Sequence, residues 1–279
     1  MNIHTIILAA GEGSRMKSKR AKSLQRVGGK TMLEMICKTA ESISTKITLI
    51  VGFDKNSIIN ESKSFDFEIS TCEQASPIGT GDAVKCGINE VDDADKVLVL
   101  YGDVPLIKKE TLENLVSIDD KSLTILSTKV DNPFGYGRVK KDNDGNVTQI
   151  IEEKDASNAD KKISEIFTGI LCCNKVLLAE ALKEIKNDNA AGEYYLTDIV
   201  SIINTKGFKI KTCIVPNEEV KGANTKKELS ELEETFRKMK SKDLLEMGIT
   251  VSDPNRVDVR GEVSAGTDCN IDVNVILDG

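Results

Sequence analysis

The sequence predicts an α/β protein: a Rossmann-like, mainly parallel sheet with helices on both faces. Three observations lead there. Short apolar runs recur along the N-terminal part (Ile3–Leu8, Ile47–Val51, Lys96–Tyr101), and near-continuous apolar strands are those covered on both sides. Helical patterns lie between them, from Thr31 onward and over Thr80–Val91, the alternation that parallel βαβ units require. The first run opens directly into Ala9-Ala10-Gly11-Glu12-Gly13, a glycine-bearing turn that lets backbone come close to a ligand.

Each element has its own signal. Thr31 with Glu34 three residues later reads as a capping box at a helix start. Val97-Leu98-Val99-Leu100 marks the central strand. Asn143-Asp144-Gly145 is a turn between Arg138–Lys141 and Asn146–Glu152, so a hairpin interrupts the α/β pattern. From Asn224 to about Met247, Leu229, Leu232, Phe236 and Met239 recur at spacings of three and four, one apolar stripe of a long helix capped by Thr225 and Glu228. Beyond it, Val259, Ala265, Ile271 and Leu277 recur every six residues, the period of a β-helical solenoid. This divides the chain into 1–223, a linking helix at 224–248, and a first solenoid coil at 249–279. Because a solenoid needs several stacked coils, the expectation is that this sequence is the front part of something longer.

Composition removes several function classes. The 279 residues carry 38 lysines and arginines against 45 aspartates and glutamates, a net charge of −7; a general nucleic-acid binder needs an excess of cations. No apolar run approaches the roughly 20 residues that span a bilayer, and Met1–Thr5 lacks the basic region of a signal peptide. The expectation is a cytoplasmic protein without nucleic-acid or membrane partners. Seven cysteines with no Cys-x-x-Cys pattern read as buried, reduced thiols. The single histidine, His4, lies in the first strand and leaves chemistry to carboxylates, lysines, arginines, backbone amides and oxygen-bound metals.

Three stretches could carry that chemistry. The first is Leu8-Ala9-Ala10-Gly11-Glu12-Gly13-Ser14-Arg15-Met16, followed by Lys22. Met16 stands where a dinucleotide fingerprint needs its third glycine, and the Gly-Lys-Ser/Thr of a Walker loop is missing. Arg15 and Lys22 instead put two cations beyond an amide-rich loop, as a triphosphate requires; alone, the segment is equally a tight turn with solvated basic residues. The second is Tyr101-Gly102-Asp103-Val104-Pro105, at a strand's carboxyl end where α/β proteins bind ligands. Asp103 there suits Mg²⁺, or simply an Asx turn. The third is Glu73-Gln74 with Gly79-Thr80-Gly81. The Gln74 amide could pair with a donor–acceptor edge such as uracil's, while Thr80 could equally be a helix N-cap, and Asn224 a flank of the long helix.

In order, these motifs resemble those of the sugar-1-phosphate nucleotidyltransferase family. Gly135-Tyr136-Gly137-Arg138, Ile151-Glu152-Glu153-Lys154-Asp155-Ala156, Gly192-Glu193-Tyr194-Tyr195-Leu196-Thr197-Asp198 and Gly222-Ala223-Asn224 continue the likeness. With Asp253-Pro254 and the hexapeptide start, the chain most resembles the uridyltransferase domain of bacterial bifunctional uridyltransferase–acetyltransferases, which precedes a left-handed parallel β-helix. The resemblance implies a fold of the nucleotide-diphospho-sugar transferase type and Mg²⁺-dependent uridylyl transfer from UTP to N-acetylglucosamine-1-phosphate. It implies that Leu8, Ala9, Ala10, Gly11, Gln74, Gly79, Thr80, Tyr101 and Gly102 bind the nucleotide. It further implies that Arg15 and Lys22 neutralise phosphates, that Asp103 and Asn224 hold the metal, and that Gly137, Glu152 and the position of Phe167 face the sugar. A homotrimer is implied for a full-length form, weakened here, and no acetyl transfer is expected of this chain. The sequence departs from the family at Ala21, where proline is usual, in the Ala75–Ile78 spacer, and at Phe167, where asparagine contacts the sugar. A nucleotidyltransferase for another sugar or base, and a non-catalytic sugar-nucleotide-binding regulator, are the rival readings.

Overall fold

The structure is a computed structural model that describes residues 2–92, 94–118 and 122–279. Its centre is a nine-stranded sheet in which seven strands run in the order Lys211–Ile214, Leu123–Lys129, Glu165–Asn174, Lys96–Tyr101, Ile3–Leu8, Lys46–Val51 and Ser70–Glu73. Lys96–Tyr101 through Ser70–Glu73 pair in parallel, as do Lys211–Ile214 and Leu123–Lys129. The mainly parallel sheet is therefore present, with one exception in its middle. Glu165–Asn174 runs antiparallel to both neighbours and also meets the hairpin Arg138–Lys141/Val147–Ile151.

Alternation along the strands explains why both faces are covered. Ile6, Leu8, Val97 and Val99 join one core with helices Thr80–Ile88, Lys175–Glu184 and Asp198–Thr205. Ile3, Ile7, Leu98 and Leu100 join the other, with helices Met32–Glu41, Lys55–Ser62 and Lys109–Ser117. His4 is buried in the first strand and its Nε2 lies 2.8 Å from Thr48 Oγ1; burial lowers its pKa, the behaviour of a structural imidazole.

The long helix spans Lys226–Glu246 and has its full capping box, Thr225 with Glu228. Its stripe packs as expected: Leu232 is buried with Met16, Met32, Leu106 and Ala223, and Leu229, Phe236 and Met239 flank them. At Thr31 only half the box forms. Thr31 Oγ1 accepts the Glu34 N–H, whereas the Glu34 carboxylate turns to Lys30 at 2.9 Å. The helix expected over Thr80–Val91 stops at Ile88. Of the seven cysteines, Cys37, Cys172 and Cys173 are buried and the other four are half-buried.

At the C-terminal end, Thr250–Val251 pairs in parallel with Asn270–Ile271, and Val257–Arg260 with Val275–Asp278. Val251, Val257 and Val259 close a small core with Leu244 of the long helix, flanked by Val263, Ile271 and Leu277. Ala265, expected in the six-residue series, is exposed; Val263 is the residue that reaches this core. No helix among the described residues is long and apolar enough to cross a membrane.

Candidate functional site

Register places the first two motifs side by side. Ile3–Leu8 and Lys96–Tyr101 are adjacent parallel strands with Leu8 opposite Tyr101, so both loops leave the same edge of the sheet. The Gly102 N–H donates to Leu8 O at 3.0 Å, and a Cβ at Gly102 would come within 3.3 Å of that oxygen. Gly79, the N-cap of helix Thr80–Ile88, has φ +130° and no room for a side chain: a Cβ would lie 2.4 Å from Tyr194 O. The Gly81 N–H donates to Tyr194 O, and Thr80 Oγ1 accepts the Leu196 N–H at 3.1 Å. Thr80 is thus the first helical residue and ties the 193–197 loop to the site.

These loops enclose a cavity of about 230 Å³. All nine positions expected to bind a nucleotide line it (Leu8, Ala9, Ala10, Gly11, Gln74, Gly79, Thr80, Tyr101 and Gly102), together with Lys22 and Asp103. Ser23, Pro77, Ala83 and Glu193 also line it. Glu193 had been part of a motif without a role, and the others had no sequence signal of their own. Gln74 is buried, and its Nε2 donates to Gly79 O at 3.1 Å and Asp82 Oδ2 at 2.8 Å. Both amide hydrogens have partners inside the protein, so this side chain offers a ligand its acceptor oxygen only.

Lys22 sits on a short 3₁₀ turn, Lys22–Leu24. The preceding Ala21 donates its backbone N–H to Asp54 Oδ2 at 3.0 Å, a bond that a proline cannot make. The Lys22 ammonium lies 2.6 Å from Asp103 Oδ2 and 3.0 Å from Asn224 Oδ1. The fold thus brings Asn224, 202 positions away in sequence, to the Lys22 ammonium. Beside them Ser23 Oγ is buried without a hydrogen-bond partner.

The donor set fits a hard cation. Asp103 and Asn224 supply two oxygens already gathered around a positive charge, and Mg²⁺ takes one or two such protein ligands plus phosphate oxygens and waters. Among the described residues no three His, Cys, Asp or Glu side chains gather into a metal cage, so waters or substrate oxygens would have to complete the shell.

Arg15, Gly137, Glu152 and Phe167 do not line the cavity, and neither does Asn224, which meets it only through the Lys22 ammonium. Arg15 is exposed on the 3₁₀ turn Ser14–Met16, where Met16 rather than Arg15 is the buried residue. Its charge acts on Tyr136, whose phenol burial pushes up and which Glu228 and Asp103 also influence. Phe167, expected at the sugar, is buried in the same core as Leu8, Val139 and Ile150. An apolar ring at a buried sheet position joins that core, and its N–H donates to Gly137 O at 2.8 Å.

Gly137 and Glu152 do lie together: a Cβ on Gly137 would sit 3.6 Å from Glu152 Oε1, which accepts from Thr197 Oγ1 at 3.0 Å. Burial raises the Glu152 carboxyl. Asp198, in the next position after Thr197, is pushed up to about 6 by burial and by the charges of Glu152 and Asp155. Tyr101 links this acidic cluster to the cavity. Its phenol is raised by burial and by Glu152 and held by a hydrogen bond with Thr80, and its ring packs against Gly169, where a Cβ would lie 2.5 Å from Cε2.

With this geometry established, the comparisons with known proteins are decisive. Residues 5–155, more than half the chain, match the MobA-like NTP transferase domain. The chain belongs to the MobA-like NTP transferase family. Relatives named "Bifunctional protein GlmU" align over essentially all of it: one from Psychrobacter sp. (strain PRwf-1) at 42% identity over 278 residues, 99% of this chain and 60% of that protein; one from Ruthia magnifica at 40% over 280 residues, 100% and 61%; and one from Acinetobacter baumannii (strain AYE) at 42% over 284 residues, 100% and 62%. The chain thus spans about 60% of the length of these relatives. A solved chain from Bacillus anthracis, described as a glucose-1-phosphate thymidylyltransferase in complex with a sucrose, superposes with a TM-score of 0.66 over 83% of this chain and 94% of its own, at 21% identity. That likeness concerns the fold, and it agrees with the nucleotidyltransferase architecture of the NTP transferase family.

Proposed function

We propose that the chain transfers the uridylyl group of UTP to N-acetylglucosamine-1-phosphate, forming UDP-N-acetylglucosamine and pyrophosphate, with Mg²⁺ as cofactor. The observation that carries this reading is that Lys22 and Asp103, at one wall of a cavity lined by Leu8–Gly11, Gln74 and Gly79–Thr80, meet Asn224 at the Lys22 ammonium. The uridine would lie against Leu8–Gly11 and Gly102, which line the cavity, with open space at Gly11.

A phosphate oxygen of the sugar-1-phosphate would attack the α-phosphorus of UTP, and the bond from that phosphorus to the bridging oxygen would break, its electron pair leaving with pyrophosphate. The nucleophile is already anionic, so no general base is required, consistent with a site lacking histidine. The chain's task is then orientation and charge neutralisation. Lys22 would neutralise charge at the transferred phosphoryl group, and Arg15 would reach the outer phosphates from the rim. Asp103 and Asn224 would hold Mg²⁺, whose contribution is electrostatic stabilisation of phosphate charge. Gly137 and Glu152, with Thr197 orienting the carboxylate, would bind the sugar.

Phe167 favours a second reading in which the sugar differs, because a buried phenyl ring supplies no hydrogen bond there. The parallel pairs at 250–278 support a β-helix start, and we extend the proposal to a trimer-forming helix in a longer form. Incubation with a panel of nucleoside triphosphates and sugar-1-phosphates tests the assignment: fastest pyrophosphate release with UTP and N-acetylglucosamine-1-phosphate supports it, and preference for another pair overturns it.

A further inference from the structure

A buried carboxylate outside the cavity has no part in that chemistry. Glu219 is 7% exposed and lies on the short helix Asn217–Val220, five residues before Asn224. Thr111 Oγ1 donates to Glu219 Oε2 at 2.6 Å, and the Lys108 ammonium is 3.4 Å from Oε1. Both partners belong to the segment that follows Asp103: Lys108 is the N-cap of helix Lys109–Ser117, and Thr111 is on that helix. Burying a carboxylate costs free energy unless it is closely hydrogen-bonded, so this contact specifies one seating of the arm.

The arm runs straight from Glu219 to the site. Val220 enters the core with Val104, Ile107 and Leu112. Gly222 passes so close to Asp103 that a Cβ would lie 3.0 Å from Oδ2 and 3.2 Å from the backbone oxygen. Ala223 is fully buried beside Leu106 and Leu232. On the far side of Asn224, Glu228 Oε2 accepts the N–H groups of Asn224 at 2.6 Å and Thr225 at 3.2 Å. The arm bearing Asn224 is thus fastened by two carboxylates, Glu228 at Asn224 itself and Glu219 five residues before it, the latter anchored to the segment that follows Asp103.

We propose that Glu219 is a positioning residue: by fastening the 217–224 arm to the Lys108–Thr111 turn it sets the distance between Asn224 Oδ1 and Asp103 Oδ2 at which both can hold one divalent cation. The inference rests on the reading of Asp103 and Asn224 as the cation's ligands. Groups that orient metal ligands from behind commonly change metal affinity 10–100-fold when removed.

The test is Mn²⁺ binding to the purified chain without substrates, followed by the electron paramagnetic resonance of free Mn²⁺. Glu219→Ala and Thr111→Val are compared with Asp103→Asn, with Leu115→Ala as a core substitution on the same helix that leaves the arm's anchor intact. The expected result is a Kd raised about tenfold by Glu219→Ala and in the same direction by Thr111→Val, with Glu219→Gln, which keeps an acceptor for Thr111, closer to the parent. Leu115→Ala should lower the melting temperature without this loss of affinity. If Glu219→Ala does not fold, Thr111→Val carries the test. An Mn²⁺ affinity within twofold of the parent in the anchor variants, while Asp103→Asn binds weakly, overturns the positioning role and leaves the ligand assignment standing. Unchanged binding in Asp103→Asn overturns the ligand assignment, and the role of Glu219 with it.

Discussion

In the proposed reaction Lys22 carries the central charge, because its ammonium meets both Asp103 and Asn224. Lys22→Ala is expected to lower kcat by about 10²-fold or more, the usual loss for a preorganised charge partner; a rise in KM with unchanged kcat would make it a ground-state contact instead. Phe167 behaves as a core residue. Its ring is 6% exposed among aliphatic neighbours, so Phe167→Asn would leave a cavity and an unpaired amide, at a cost of about 3 kcal/mol or more in chemical denaturation. A variant as stable as the parent would remove the ring from the core. Asp198 gives a pH signature. Its carboxyl is pushed up to about 6, chiefly by burial, against about 3.9 in an unfolded chain. Between these values the folded chain keeps a proton that the unfolded chain has lost, so stability falls as pH rises through this window and stays lower above it. Asp198→Asn should therefore raise the melting temperature relative to the parent at pH 7.5 but little at pH 4; an equal effect at both would contradict the burial argument.

Among the elements, those with a strong local signal were legible in the sequence and those defined by pairing were not. Lys96–Tyr101 and the helix beginning at Lys226 stand where their apolar periods put them. Glu165–Asn174 carries the signal of a buried strand, but nothing local says that it runs antiparallel between parallel neighbours; that follows from the hairpin and the connections before it. The site shows the same division. The loops at strand ends could be read because strand ends gather ligands, which is why the nucleotide-side positions come together. The exposure of Arg15 and the core position of Phe167 depend on three-dimensional packing around them, which spacing does not encode. At this scale the capping box is the point to test. Thr225 Oγ1 accepts the Glu228 N–H at 3.1 Å, and Thr225→Ala should cost about 1 kcal/mol, with faster amide exchange over residues 224–229. Unchanged exchange there would mean the helix start is held by Leu232 and its neighbours alone.

Across the whole molecule, the sheet brings Leu8, Tyr101 and Gly79 to one edge, and the arm before the long helix returns Asn224 to that edge from the far end of the fold. The long helix Lys226–Glu246 then leads to the small parallel-paired unit at 250–278: its Leu232 packs with Met16, Leu106 and Ala223, and its Leu244 joins the C-terminal core. Relatives that align with this chain over essentially its whole length have about two-fifths of their own length outside the match, since 60–62% of each is matched. The positions proposed to bind the nucleotide all line the cavity of the present chain, so under the proposed function transfer should not require that remainder. The most direct measurement is pyrophosphate release by the purified chain with UTP, N-acetylglucosamine-1-phosphate and Mg²⁺, run in parallel with Asp103→Asn. The expected result is steady turnover by the parent that requires both substrates and the metal, and its loss in a folded Asp103→Asn variant. Turnover by Asp103→Asn at half the parent rate or more, or a folded parent inert toward this substrate pair, would contradict the account.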